Sequence, residues 1–530
     1  MYINYNFFLD FLMEDIFKLI NLLYNIIMDN EDKNLISDLI KKVINDKKPQ
    51  WAKGGIVISV EEGIAKIEGL KNVILNEELI FENDLRGLVY EINEFFVSAL
   101  IINEKFDNKV AVNSLVKNTG KLFSVDVGLW GGRVLDPLMN AIDGGEPLTI
   151  ETTRVVDAYP VAIIDRSPIN KPLYTGITVI DGIIPLGKGQ RSIIIGDMKT
   201  GKTTIGIDSI INQKNFYKTD KEVHCIYVSI GQKQQDTKRV VEELKEKGAM
   251  DYTTVIMADS FCNASTLYIT PYVATALAEH FCFTHNKDVF IVYDDLSKHA
   301  VAYRTIELIL RKPPGRESYP AGVFYLHARL LERSGAFNNG KTITSFSVFE
   351  TQEGNMESYI NTNGISITDG QLVLSKNLFY EGIRPAIDIG KSVSRIGSSA
   401  QEGLLKEVSK QLKLGLMKYE DLLSYSKIIQ DLDPEVQYLL KKGSILKELI
   451  QQKVGESRSP SENAVIIIAA NNDLLNEAHH LKKTFKNITH HFNNYHKSLM
   501  DEIIQCKNIG FQEAQSQILN ILKENPQLIV

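Results

Sequence analysis

Residues Gly196–Thr203 read GDMKTGKT, with a lysine and a hydroxyl directly after the second glycine. This is the spacing G-x-x-x-x-G-K-[ST], which wraps a phosphate in backbone N–H groups. Lys202 can reach the β- and γ-phosphate oxygens, and the Thr203 hydroxyl can stand on magnesium. Gly196 and Gly201 allow backbone angles and close approaches that a Cβ would obstruct. Asp197, Lys199, Thr200 and the following Thr204 complete the expected loop contacts. The chemistry that follows is binding of a nucleoside triphosphate with magnesium. Hydrolysis is a separate matter, decided by groups further along the chain.

Three further stretches bear on it. Asp288–Asp295 reads DVFIVYDD, an apolar run ending in acid. Downstream of a phosphate loop, the first acid, Asp294, can hold magnesium through water opposite Thr203. Asp295 reads better as the cap of the next helix or as one half of an ion pair. The run Cys225–Ile230 is followed by Gly231-Gln232-Lys233. If that run is the strand neighbouring the loop strand, its end is where a water-activating group belongs. Gln232 can align a water there but cannot take its proton. Ser392–Gln401, SVSRIGSSAQ, sets Arg395 among small residues. Lent across an interface, such an arginine stabilises γ-phosphate charge, an effect worth ~10³–10⁵ in rate. On local sequence alone it reads as a surface or salt-bridged residue. Arg384-Pro385, after Phe379 and Tyr380, could sandwich an adenine face, although locally it reads as a turn. Arg329 and Arg333 read as ion-paired. Neither they nor the late histidines His479, His480, His490, His491 and His496 suggest a further site, and no metal beyond magnesium is expected.

The elements that must position these residues follow from periodicity. Ser192–Ile195 is a short apolar run suited to a buried parallel strand, and Ile207, Ile210 and Ile211 recur at helical spacing after the loop. The loop therefore joins a strand to a helix N-terminus, whose dipole favours phosphate. Val255–Ala258 and Val289–Tyr293 are further strands. Between Gly54 and Val116 short β-rich runs alternate with turns: Ile56–Val60, Ile64–Ile67, Val73–Leu75, Gly87–Ile92, Phe95–Ile102 and Val110–Val112. Many short strands without helices predict a small sandwich or barrel. After Gln401 the chain is mostly helical, with Leu404, Leu405, Val408, Leu412 and Leu416 on one stripe.

Before the β-rich part, residues Met1–Met28 predict an amphipathic helix. Asp10, Glu14, Lys18, Asn21 and Asn25 lie on one face, and Phe8, Leu12, Ile16, Leu19, Leu23 and Ile26 on another. It docks on a partner or a membrane surface, packs on its own protein, or precedes a natural start at Met28. A second amphipathic stretch follows it over Leu35–Ile44.

The whole chain has 530 residues, enough for about three domains. Apolar content of 44% and charged content of 24% are those of an ordinary soluble globular protein. A net charge of -7 argues against a general nucleic-acid binder. Cys225, Cys262, Cys282 and Cys506 form no C-x-x-C pair and read as reduced thiols.

Taken together the motifs resemble the alpha subunit of F-type ATP synthase, a rotary ATPase family. The likeness runs from about Gly54 to the C-terminus and is tightest over Gly176–Gln401. It rests on long stretches such as TGITVIDGIIPLGKGQRSIIIGD, YVSIGQK, YDDLSKHAVAYR, VFYLHARLLERSGA, LFYEGIRPA and SVSRIGSSAQ. The resemblance implies a multidomain fold: an N-terminal β-barrel over 51–122, a central α/β P-loop (RecA-like) domain over 123–401 and an α-helical domain over 402–530. Within residues 1–50, Met1–Met28 lie outside the usual alpha start, and Asn30–Lys48 resembles the family's N-terminal segment, which implies contact with the peripheral stalk. It implies ATP or ADP with magnesium as cofactors, and an alternating hexamer with catalytic beta subunits around a central rotor stalk. It implies a peripheral place on the cytoplasmic face of the cell membrane, or on the matrix face of the mitochondrial inner membrane. Gln232 stands where the beta subunit has its catalytic glutamate. Arg395 matches the finger lent to the beta site, and Arg384, Pro385 and Gln452 match the adenine pocket. Both local readings, surface arginine and turn, are then replaced.

Met198-Lys199 and Val454 depart from the family pattern, and each bears on nucleotide affinity. Two other readings share the core motifs. One is a homohexameric ATPase of the export or terminator type, which would need a glutamate at position 232. The other is an alpha-like subunit of an F-type-like motor with another mechanical task.

Overall fold

The computed structural model describes residues 54–104, 107–401, 403–426, 433–505 and 510–529. The amphipathic stretches expected over 1–50 lie outside the described residues.

The first layer is a closed barrel of β1 (Gly54–Glu61), β2 (Ile64–Glu68), β3 (Glu77–Phe81), β4 (Arg86–Ile92), β5 (Val97–Ile102) and β6 (Leu115–Leu122). Its order is β1-β2-β5-β4-β3-β6, closed by antiparallel pairing of β6 with β1. Closure leaves no strand edge for another chain to pair with. Alternation sends Val57, Ala65, Leu79, Val89, Ala99 and Val116 inward, where they form their own apolar cluster. Two expected strands are misplaced. Val73–Leu75 and Val110–Val112 lie outside the strands, and β3 and β6 follow each of them by a few residues.

A two-stranded ribbon of β7 (Ser124–Val127) and β9 (Thr152–Val155) leads into the second layer, with the short β8 (Val134–Leu135) between them in sequence. The nucleotide-domain sheet contains β10 (Arg191–Asp197), β11 (Val223–Gln232), β12 (Thr253–Asp259) and β13 (Asp288–Asp294). It also contains β14 (Gly335–Ala336), β15 (Thr342–Thr351), β16 (Gly370–Val373) and β17 (Val393–Ser394). The order is β17-β16-β10-β15-β13-β11-β12-β8, parallel throughout except for β17 against β16 and β14 against β15. Both faces are covered, as parallel sheets require. In β10, Ile194 packs on the side shared with the C-terminal helices, while Ile193 and Ile195 face the other side. The covering helices are α1 (Thr178–Ile183), α2 (Lys202–Asn212), α3 (Gln234–Glu246), α4 (Ala264–Glu279), α5 (Leu296–Ile309), α6 (Val323–Leu331), α7 (Tyr359–Ile367) and α8 (Lys376–Tyr380).

The third part is helical: α9 (Gly403–Ser426), α10 (Pro434–Leu449), α11 (Pro460–Asn471), α12 (Leu481–Tyr495), α13 (Lys497–Gln505) and α14 (Phe511–Glu524). The predicted leucine stripe of α9 is buried. The central helix is α11. Its start is fixed by Ser459 and Glu462, which exchange side-chain bonds with each other's backbone, and by Pro460 in the first turn. Ala464–Ala470 is buried throughout, so α11 is apolar all round and is enclosed by its neighbours. Among the described residues no helix is long and apolar enough to cross a membrane.

Candidate functional site

The loop Gly196–Thr203 joins β10 to α2, as its sequence predicts. Gly201 sits at φ +98°. A Cβ at Gly196 would lie 2.8 Å from Thr200 Oγ1 and 2.9 Å from Leu374 Cβ. Both glycines are therefore demanded by the backbone path. The Lys202 ammonium donates to the carbonyls of Gly196 (2.8 Å) and Asp197 (2.7 Å). Burial lowers its pKa, opposed by Glu350, Asp295, Asp294 and Asp197. Such a partly desolvated cation is well placed for an anion.

Lys199, Thr200, Gly201, Lys202, Thr203 and Thr204 line one cavity of about 390 Å³. Its far wall holds Phe379, Arg384, Pro385, Gln452 and Val454. The expected phosphate end and adenine end thus share one space. Arg384 stacks on Phe379 with its guanidinium carbon 3.5 Å from the ring centre. Gln452 is buried, and its amide is spent on the chain itself. It accepts from Thr178 N at 2.6 Å and donates to the carbonyls of Gly176 and Glu456. Its place is to hold the α10–α11 connection against α1. Val454 is largely exposed at the mouth, and so is Met198 on the loop.

Asp197 departs from expectation. Its carboxylate turns away from the cavity to accept from the Thr351 hydroxyl and from Gly354 N (2.8 Å). It anchors the loop to the end of β15, leaving the phosphate contact to its neighbours.

At the magnesium position the Thr203 hydroxyl donates to Asp294 Oδ2 at 2.7 Å, and buried Tyr227 donates to the same oxygen at 2.8 Å. A hydroxyl and a carboxylate in contact suit a hard, oxygen-seeking divalent ion. Asp295 caps α5 by accepting from Lys298 N at 2.7 Å, as expected. Burial, then neighbouring Asp294, pushes its pKa up to about 7.

Gln232 is not on the strand beside β10. Both β15 and β13 intervene. It reaches the site sideways, donating to Asp294 Oδ1 at 3.1 Å. Its carbonyl accepts from Lys298 Nζ at 2.7 Å, and Lys298 also holds Gly231 O. Lys298 and Tyr227 have no motif of their own. The signal that could have found Lys298 is its spacing from Asp294, which brings it back over the strand ends.

Arg395 lies away from this cavity, exposed just beyond the edge strand β17. Its backbone N–H donates to Asp369 O at 2.9 Å. Arg191 grips the Asp369 carboxylate through Nε and Nη2, both at 2.9 Å. The base of Arg395 is fixed, and its exposed head makes one long contact, Nη2 donating to Ile365 O at 3.4 Å. Arg329 and Arg333 are ion-paired, to Asp157 and Glu279 respectively. His479, His480 and His490 are exposed on the helical domain. Cys225, Cys262 and Cys282 are free thiols.

Asp208, one turn and more into α2, lines the same cavity and accepts from Gly455 N at 3.1 Å. Burial pushes its pKa up to about 6 from 3.8. Because the folded value is the higher one, folding favours the neutral acid. Relative to Asp208→Asn, the native chain is expected to be most stable below about pH 4. It should lose up to about 3 kcal/mol as pH rises from about 4 through about 6. Urea midpoints across that range would measure it, and a constant difference between the two proteins would refute it.

Comparison with known proteins agrees with this geometry. The profile of the ATP synthase alpha/beta family, nucleotide-binding domain, matches residues 176–394. That of the ATP synthase alpha/beta chain, C terminal domain, matches residues 401–525. The chain is 42% identical over 507 residues to ATP synthase subunit alpha of Mycoplasma mycoides, covering 92% of this chain and 95% of the relative. It is 44% identical over 445 residues to the subunit alpha of Caldanaerobacter subterraneus, covering 83% and 86%. A third relative, the sodium ion specific ATP synthase subunit alpha of Acetobacterium woodii, is 42% identical over 443 residues, covering 83% and 87%. With barrel, phosphate-loop domain and helical domain in this order, and relatives matched over most of its length, the chain belongs to the ATP synthase alpha/beta family, on its alpha-subunit branch.

Proposed function

We propose that this chain is the non-catalytic, nucleotide-holding alpha subunit of an F-type ATP synthase. It binds Mg-ATP or Mg-ADP in the cavity between Lys202 and Pro385 and lends Arg395 to the catalytic site of an adjacent beta subunit. The observation that carries this reading is Gln232. No carboxylate stands at its position, and its amide is tied to Asp294 at one end and to Lys298 at the other. An amide held in this way takes no proton from water.

Backbone N–H groups of the loop and Lys202 bind the phosphates, and Thr203 and Asp294 hold magnesium. When bound, the ion neutralises charge on the β- and γ-phosphate oxygens. Phe379, Arg384 and Pro385 form the apolar wall against which a base stacks. The partners are beta subunits in an alternating hexamer, a central rotor stalk and a peripheral stalk that meets the N-terminal segment. The complex couples proton passage to ATP synthesis or hydrolysis, with sodium as the other candidate ion. It sits peripherally on the cytoplasmic face of the membrane.

The test uses the full chain, purified alone. Equilibrium dialysis should show Mg-ATP bound, and phosphate release should barely exceed the buffer rate. Robust hydrolysis by the isolated chain overturns the proposal.

A further inference from the structure

Far from the phosphate loop, where α4 ends, the helix widens into a π turn over His280–Thr284. Residues five apart on an α-helix stand about 140° apart around its axis. A π turn, with its i→i+5 bonding, brings them back onto one face, and such turns are frequent at functional sites. Here it brings together His280 and His285, whose ring centres are 4.9 Å apart. Both rings turn an Nε2 to the same oxygen of Glu151, His280 at 2.9 Å and His285 at 2.6 Å. One ligand atom from each of the three lies within 4.8 Å of the others.

We propose that Glu151, His280 and His285 form a binding site for a divalent transition-metal ion of the zinc type. Two imidazoles and a carboxylate are a donor set that zinc accepts, with the fourth position left to water. Bonds of about 2.05 Å would set tetrahedral ligand atoms about 3.3 Å apart, so each imidazole nitrogen needs to move less than about 1 Å from the carboxylate oxygen. The exposure suits an exchangeable ion. The His280 side chain is 0% exposed, whereas His285 at 23% and Glu151 at 32% face water.

The protonation states suit it too. Burial, opposed by the bond to Glu151, keeps His280 below its ordinary value and hence neutral, as a metal ligand must be. Burial raises Glu151, and the bonds from His285 and His280 outweigh that, leaving it below its ordinary value and ionised. The nearby cation is Arg154, and it has Glu279 at 3.8 Å as its own partner. His280 Nδ1 is buried without a hydrogen-bond partner. Its Nε2, in contact with Glu151, is the atom a metal bond would take over. The two histidines stand at i, i+5 in sequence, a spacing that does not share a face on an ordinary α-helix.

Glu151 stands at the start of β9, and its N–H donates to Val127 O on β7. A bound ion would staple the ribbon between barrel and nucleotide domain to the end of α4.

The experiment titrates Zn²⁺ into the full chain in a non-chelating buffer, followed by calorimetry, metal content after gel filtration, and thermal unfolding. Co²⁺ serves as a spectroscopic probe of tetrahedral coordination. The expected result is one tight site per chain, a raised melting temperature and intense Co²⁺ visible bands. His285→Ala and Glu151→Gln, both at half-exposed positions, should weaken binding by about 10–100-fold and remove the bands and the thermal shift. Binding that is equally strong in both variants belongs to other histidines of the chain and overturns the proposal. So does the absence of stoichiometric binding in the native protein.

Discussion

Replacing Arg395 by alanine is expected to lower ATP hydrolysis by the assembled complex about 10³-fold or more. The residue contributes nothing to its own chain's cavity, and its head is exposed at the sheet edge. On the proposed role, its effect would be expressed where a partner surface meets that edge. Lys202→Ala makes the contrast. Lys202 is buried in the loop, and its loss should empty the alpha site while changing turnover less than about tenfold. Steady-state hydrolysis and nucleotide content of the two variant complexes would measure both effects. If Lys202→Ala cripples turnover and Arg395→Ala spares it, the assignment of roles is wrong.

A comparably large effect, on stability, is expected at Arg333. Its side chain is wholly buried and binds both oxygens of Glu279, at 2.7 and 2.9 Å, while a third N–H reaches Val156 O at 2.6 Å. Arg333→Ala leaves the Glu279 carboxylate in the core with only Arg154 for company, at 3.8 Å. Breaking a buried pair at one end costs about 3–5 kcal/mol, and the residual Arg154 contact puts this case toward the lower figure. Urea unfolding of the full chain gives the number. The double change Arg333→Met with Glu279→Gln should recover much of the loss, because it removes the charge that the single change strands. A single variant within about 1 kcal/mol of the native chain would contradict this account.

How much of this was legible in the sequence depends on how local each signal is. The phosphate loop is contiguous, so its residues, flanking strand and helix all show in one window. The strands β10, β11, β12 and β13 are apolar on both faces and stand out as runs. The barrel is harder. In β3, EELIF, the buried residue Glu77 breaks the apolar pattern because its carboxylate satisfies Ile74 N and Gly120 N. In β6, LVKNTGKL, Val116 alone is fully buried. The more apolar segments just before each strand drew the expectation instead. Strand order was not legible at all. Gln232 was expected beside the loop strand, and only pairing in three dimensions shows β15 and β13 between them. Asp197 likewise reads as a phosphate neighbour until Thr351, far along the chain, claims its carboxylate. Gln452 carries no local signal and became a candidate only through resemblance to a family. Arg395, set among small residues, had a weak local signal that read better as a surface residue until that resemblance.

The sheet order has one more consequence. β10, which carries the phosphate loop, is bonded to β16, and β16 is bonded to β17, which carries the base of Arg395. Across the sheet, two strand spacings of about 4.8 Å lie between the loop strand and the arginine's strand, joined by continuous hydrogen bonds. Along the strands the two stand at opposite ends: Arg395 N–H meets Asp369 O, and Asp369 N–H meets Arg191 O at the start of β10. They are therefore parts of one stiff plate. A tilt of the strand that carries the loop would carry the base of the arginine with it. If a neighbouring subunit meets Arg395 as proposed, it meets a base that is hydrogen-bonded into the same sheet as the loop strand.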